Sequence, residues 1–275
     1  MRVADARRFR LDDLRRLATA LLAKQGVAPA RASALATHLL WFDAAGVASL
    51  GIEALPDWLE RLESGQVDPR AEGRVVLERS GTAVLDGQNG LPPLVLARAA
   101  EIASEKAREI GLGLVRVTGI GPAGSAAPVA AELAVGPFAA FLLGPGPSWS
   151  LALPSEDGLP AVFDAALAPA GSRAKGPPPW LDGLGAWAGL LVPDGGWLIA
   201  AVAVPALEPL ATFQERVSAG AIRDEDGAGR LAPKPWEDRR REARERGVPI
   251  ALAVWKKWKR WADRFEVELP APCNR

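Results

Sequence analysis

The chain has 275 residues, 49% of them hydrophobic, which is enough for a sizeable core in one long domain or a pair of domains. Its 33 basic and 33 acidic residues cancel, excluding the basic excess that a nucleic-acid or membrane surface demands and leaving small molecules or other proteins as partners. One Cys, Cys273, excludes a disulfide framework and a thiolate metal site, while one His, no Tyr and one Met leave little for chemistry built on imidazole or phenol.

The opening MRVADARRFRLDDLRRL is charged and lacks the apolar core of a signal peptide. No run approaches ~18 apolar residues, so the reducing cytoplasm is the expected location. Leu11, Leu14, Leu17, Leu21 and Leu22 recur at helical spacing, with Asp12 and Asp13 in the first turn and Gly26 as a stop. A second helix opens at Pro29, carries Ala32, Leu35, Ala36, Leu39 and Leu40 on one face and closes before Gly46. A third runs from Pro56 to Leu62. From Arg74 the run RVVLERSGTAVLDG predicts a hairpin around Ser80 and Gly81, followed by an Ala-rich helix from Leu94 to Ile110 that Gly111 caps. LGLVRV is a buried strand, Ser125 to Ala134 a short helix and PFAAFLL a further strand.

Residues 144 to 195 hold most of the Pro and Gly and read as loop-rich, with one short strand at Leu159 to Asp164. WLIAAVAV is a last core strand, after which helical patterns return at Leu207 to Val217, Pro235 to Glu245 and Ile250 to Phe265. The expected organisation is a helical part over 1–73, a sheet-containing part over 74–205 and C-terminal helices over 206–275 that pack with the N-terminal part. The fold class is α/β, with a mixed, largely antiparallel central sheet and a helical layer built from both termini.

Three features invite chemistry. GIGPAG at 119 to 124 satisfies G-x-G-x-x-G between a strand and a helix, but Pro122 removes a backbone donor and the next strand ends in Leu142, Leu143 and Gly144 with no acidic residue for a ribose, so a plain connection is preferred. His38 sits mid-helix beside Arg31, Ala34 and Trp41, off the leucine stripe, and reads as a surface residue; no metal cluster assembles around it. The tail WKKWKRW interleaves aromatic and basic residues as a nucleic-acid or membrane helix does, yet Asp263, Glu266 and Glu268 follow at once, and three Trp on one side are expected to dock the helix on the protein body. EDRRREARERG reads as a solvated helix of mixed charge.

Taken in order, the first helix, LLAKQGVAPARASALATHLLWFDAAGVASLG, LPDWLERLESGQVDP, AVLDGQNGL before the helix ending KAREIGLGLVRV, and the closing GGWLIAAVAVPALEPLATFQERV and ERGVPIALAVWKKW resemble the type-2 malate/L-lactate/ureidoglycolate dehydrogenase family. The resemblance implies a non-Rossmann fold, NAD(P)H-dependent reduction of 2-oxoacids or cyclic imines, and dimers with the cofactor near the subunit interface. In that family a helix ending Ala-Asp runs into R-G-x-x-S-H-G, whose His donates the proton to substrate and whose Arg helps with the anionic substrate. This chain keeps Asp43, Gly46, Ser49 and Gly51 but has Ala45 for the Arg and Leu50 for the His. The family's N-S-x-H-F-G aligns with Val117, Thr118, Gly119, Ile120, Gly121 and Pro122, which places a second His position at Ile120 and makes GIGPAG an eroded substrate loop. G-T-N-P is not found, D-M-A-T-S resembles Asp164, Ala165, Ala166, Leu167 and Ala168 without the hydroxyls, and K-G-Y-G-L is absent from the shortened region 165 to 194.

The resulting expectation is a non-catalytic relative, a pseudoenzyme with vestigial Asp43, Ser49 and Thr118 on the catalytic side and vestigial Gly121 and Asp164 on the cofactor side. It binds no cofactor or metal and pairs with itself, an active paralogue or another protein. Two alternatives stand beside it: an NAD(P)-dependent oxidoreductase of a small 2-oxoacid or cyclic imine that uses Asp43, Ser49 or Thr118 in place of His, and a ligand-binding protein that uses the emptied cleft.

Overall fold

A computed structural model describes residues 6–145, 148–155, 158–164, 195–218, 230–231 and 233–273. The region 165 to 194, with Ala165 to Ala168, lies outside the described residues. In chain order the first elements are β1 (Ala6–Phe9), α1 (Leu11–Lys24), α2 (Pro29–Ala45), α3 (Leu55–Glu63), β2 (Arg74–Glu78), β3 (Thr82–Asp86), α4 (Pro92–Ile110), β4 (Leu112–Thr118), α5 (Ala127–Val135) and β5 (Phe138–Leu143). Then come β6 (Trp149–Leu153), β7 (Ala161–Asp164), β8 (Trp197–Ala203), α6 (Leu210–Ser218), β9 (Arg230–Leu231), α7 (Pro233–Arg246), β10 (Val248–Ala251) and α8 (Leu252–Phe265). They fall into two compact units, Met1–Arg70 with Lys234–Arg275, and Ala71–Pro233.

In the first unit the leucine periodicity does what it predicts. Leu14, Leu17, Leu21 and Leu22 of α1 and Leu35, Ala36 and Leu39 of α2 are buried, and the two helices pack on each other. The WKKWKRW tail lies on α8 and docks through its aromatics: Trp258 is fully buried and Trp255 stacks on Phe9 with centroids 4.7 Å apart. Lys256, Lys257, Lys259 and Arg260 stay exposed. One feature was not legible in the sequence. β1 and β10 form a two-stranded antiparallel sheet in which Arg7 faces Ile250 and Phe9 faces Val248. Each run has four residues, one rich in Arg and the other carrying Pro249, so neither shows the alternation of a strand.

The second unit holds an 8-stranded sheet in the order β2-β3-β4-β8-β5-β6-β7-β9. Among the described strands β3 and β4 pair in parallel and the other pairings are antiparallel, which is the mixed, largely antiparallel sheet of the expected fold class. β4 lies close under α4: a Cβ at Gly113 would run into the carbonyl of Ala103, so only glycine permits this approach. Two expectations change. The stretch after Leu143 contains β6, whose WSLAL is buried from Ser150 to Leu153 between β5 and β7, too short and too uniformly buried to show alternation. The helix expected at Leu207 to Val217 forms as α6 but belongs to the second unit, because Leu210, Phe213 and Val217 pack with Leu151, Phe163 and Val204.

Candidate functional site

The corner after α2 is built by backbone geometry and one carboxyl. Gly46 takes φ +79°, the left-handed C-terminal cap that a residue with a Cβ adopts at a cost of ~1 kcal/mol or more. Two single 3-10 turns follow, Ala48–Leu50 and Ile52–Ala54, with Leu50 N–H donating to Val47 O at 3.1 Å and Gly51 N–H to Ala48 O at 3.0 Å. Asp43, in the last turn of α2, is buried under this corner. Its Oδ2 accepts from the Ile52 N–H at 2.8 Å, while Oδ1 is buried with no hydrogen-bond partner. Gly51 lies directly on the carboxyl group, and a Cβ there would overlap it. Burial pushes the Asp43 pKa up to about 7; the Ile52 N–H pulls it down and the nearby charge of Glu53 adds to the rise. Burial thus keeps the proton on this carboxyl to a higher pH than an exposed carboxyl would hold it.

Around it, Ser49 is exposed and Leu50 half-buried. His38 is not the surface residue its sequence position suggests. It is half-buried, edge-on to Phe42 at 5.5 Å, and burial lowers its pKa to about 4, so it is neutral and carries no titrating proton near pH 7. A further group reaches the corner from α7. Arg239 Nη1 donates to the Ala45 carbonyl at 2.9 Å. Nothing in the charge-mixed run EDRRREARERG distinguishes this arginine from its neighbours, because its partner is a backbone atom far away in the chain.

The other sequence-predicted residues lie in the second unit, at the carboxyl ends of the parallel pair β3 and β4. Gly87 N–H donates to Thr118 O at 2.8 Å and Asn89 N–H to Gly119 O at 2.7 Å, tying the DGQNG loop to the GIGPAG loop. Gln88 and Asn89 both adopt positive φ, 53° and 57°. Ile120 is half-buried and packs so close to Gly87 that a Cβ at Gly87 would overlap it. Thr118 and Gly121 are half-buried beside it. Asp164 is buried, and its Oδ2 accepts from Ser125 Oγ at 2.8 Å and from Ser150 Oγ, so the carboxylate is turned into a polar cluster of β6, β7 and the loop before α5. The structure thus groups Asp43, Ser49 and Leu50 in one unit and Thr118, Ile120, Gly121 and Asp164 in the other. Among the described residues there is no group of three or more His, Cys, Asp or Glu placed to hold a metal ion, and no helix is long and apolar enough to cross a membrane.

Comparison with known proteins bears on this arrangement. Residues 9–143 match the family model of malate/L-lactate dehydrogenase, a span that contains both the Asp43 corner and the GIGPAG loop. The L-sulfolactate dehydrogenase of Methanocaldococcus jannaschii is 35% identical over 95 residues, 34% of this chain and 28% of that enzyme, so the alignment covers well under two thirds of the relative. In solved structures, the malate dehydrogenase of Pyrococcus horikoshii OT3 superposes with a TM-score of 0.80 at 20% identity over 96% of this chain and 97% of that one. The malate dehydrogenase of Entamoeba histolytica gives 0.82 at 17% identity over 97% and 100%. At those identities the likeness is one of fold.

Proposed function

This chain belongs to the malate/L-lactate dehydrogenase family, and from that premise we propose that it is an NAD(P)-dependent oxidoreductase of a small 2-oxoacid or cyclic imine working through altered active-site residues. The observation that carries the reading is the family match over residues 9–143, a span that includes Asp43, a buried carboxyl beneath the turn that bears Leu50 with Oδ1 unpaired and its pKa raised by burial. Reduction of a C=O or C=N bond sends a hydride to carbon and a proton to oxygen or nitrogen, and a donor works best when its pKa lies near the working pH. Neither Leu50 nor Ile120 has a proton to give. Protonated Asp43 does, and Ser49 in the same unit carries a hydroxyl that can bind or relay one without supplying it at neutral pH.

A bound NAD(P)H would supply the hydride. Among the described candidate cofactor residues, Asp164 has its Oδ2 engaged by Ser125 and Ser150, and Pro122 leaves the glycine loop short of an N–H, so neither supports a nucleotide cradle. The reading therefore rests on the family and on the proton chemistry of the corner.

A second reading, a non-catalytic subunit that pairs with itself or with another protein, is favoured by the half-buried aliphatic side chains at positions 50 and 120. Titrating NADH and NADPH while following Trp fluorescence separates the two. Saturation at micromolar nucleotide supports the oxidoreductase, and no response up to millimolar concentrations supports the subunit. Leu50→His adds a second discriminator: turnover of 2-oxoacids that appears only in this variant favours the subunit, whereas wild-type turnover lost ~10²-fold or more in Asp43→Asn favours the oxidoreductase.

A further inference from the structure

We propose that the outward face of α8 docks antiparallel onto the outward face of α4 of a second copy of this chain, through charges that are segregated by sign between the two helices. The contact goes beyond the oxidoreductase reading and stands or falls without it, since neither face carries Asp43, Ser49 or the GIGPAG loop.

The two faces are opposite in charge and unmatched within their own molecule. On α8, Lys256, Lys257, Lys259 and Arg260 are exposed and form no ion pair among the described residues. On α4, Glu101, Glu105 and Glu109 are exposed and equally without one. Arg108, an exposed cation of α4, is turned onto Ser104 Oγ and the Phe138 ring. Elsewhere the exposed arginines meet acids of their own helix: Arg15 with Asp12 and Arg16 with Asp13 on α1, Arg241 with Asp238 and Arg246 with Glu242 on α7. A solvated helix mixes signs in this way because like charges four residues apart repel. Glu101, Glu105 and Glu109 keep that repulsion on α4, as Lys256 and Arg260 do on α8, and an oppositely charged face relieves both. The imbalance extends to the whole units, the first holding 22 basic and 16 acidic residues and the second 11 and 17. Unlike units of two copies therefore attract, while like units repel.

The spacing fixes the direction of approach. Leu252, Lys256, Arg260 and Asp263 lie on one stripe of α8, and Glu109, Glu105, Glu101 and Arg98, taken backwards, on one stripe of α4. Each stripe steps by four, four and three residues, which puts its last three members about 6, 12 and 16 Å along the axis from the first. An antiparallel approach sets Lys256 against Glu105, Arg260 against Glu101 and Asp263 against Arg98, with Leu252 at the end of α4 where Ile110 is exposed. The Arg98 guanidinium donates to the Glu72 carbonyl at 3.1 Å and lies 3.9 Å from Glu72 Oε2, which leaves N–H groups for Asp263. A parallel approach would bring Asp263 onto Glu109 instead. Because exposed ion pairs are individually weak and screened by salt, the contact is expected to be salt-sensitive.

Sedimentation velocity of the full chain at rising protein concentration tests the contact, with two charge-reversed variants, Lys256→Glu with Arg260→Glu and Glu101→Lys with Glu105→Lys. Wild type is expected to self-associate below about 100 μM in about 50 mM NaCl, with Kd rising about 10-fold or more at about 500 mM. Each reversed variant alone should associate about 10-fold or more weakly, with a thermal midpoint within about 3 °C of wild type. An equimolar mixture of the two should associate within about threefold of wild type, because the acidic α8 of one then meets the basic α4 of the other. Wild type that stays monomeric at low salt, reversed variants that associate as tightly as wild type, or a mixture no tighter than its components overturns the proposal. Lys256→Gln with Arg260→Gln covers a reversal that fails to fold: weakening short of the full reversal is expected, and unchanged association overturns the proposal.

Discussion

Replacing Asp43 by Asn converts the burial of one carboxyl into a measurable pH dependence. The folded protein holds this group at a pKa of about 7 against 3.8 for an unburied carboxyl, so it binds the proton more tightly than the unfolded chain does. Below pH 3.8 both states are protonated and the carboxyl leaves folding unaffected. From there to about pH 7 the unfolded chain ionises while the folded one does not, and stability falls by about 1.4 kcal/mol per pH unit until the loss levels off at about 4 kcal/mol. His38, with its pKa lowered to about 4, acts in the opposite sense over much of the same range, so the wild-type curve alone can look flat. Only the difference between wild type and Asp43→Asn isolates the carboxyl. The uncharged amide keeps an oxygen for the Ile52 N–H and never ionises. Urea unfolding followed by Trp fluorescence at several pH values from about 4 to 8 should show the Asp43→Asn variant gaining on wild type by several kcal/mol as pH rises. A difference that stays constant across the series, or that moves the other way, would show that Asp43 is not held protonated by burial.

Three further perturbations probe the scaffold. Gly113→Ala drives a methyl into the Ala103 carbonyl between β4 and α4, and a loss of about 3 kcal/mol or outright insolubility is expected in denaturation and expression assays. Trp258→Ala empties the fully buried anchor of α8 and should cost roughly 3–5 kcal/mol, whereas neutralising the exposed Lys256, Lys257 and Lys259 together should change stability by no more than about 0.5 kcal/mol per site. Lys106 is buried on α4 and donates to Glu78 Oε1 at 2.9 Å and Arg79 O at 2.7 Å. Because Glu78 is largely exposed, a double-mutant cycle of Lys106→Met with Glu78→Gln should give a coupling below about 1 kcal/mol, most of the lysine's contribution coming from packing and the Arg79 carbonyl.

Much of the fold was legible because its long elements carry their own period. Leu14, Leu17, Leu21 and Leu22 announce α1, Pro29 and Gly46 bracket α2, and RVVLERSGTAVLDG announces the β2–β3 hairpin. The family resemblance was legible for a related reason: the order of these pieces survives even where single positions change, and the match over residues 9–143 follows that order. The corner's outline, from Asp43 to Gly51, was likewise visible as two glycines and a serine in a turn.

What the sequence could not settle is whatever depends on distance between residues far apart along the chain. β6 is a strand because β5 and β7 flank it, and β1 is a strand because β10, built from the other end of the chain, supplies its partner. His38 is desolvated by neighbours that its own helix period does not reveal. Arg239 reaches Ala45 across 194 positions, and Asp43 has a near-neutral pKa because the turn closes over it and leaves Oδ1 without a partner. Local period fixes which residues form each element, since it needs only the spacing of apolar side chains. Ionisation and placement of charge depend on burial and on through-space neighbours, and these exist only once the chain has folded.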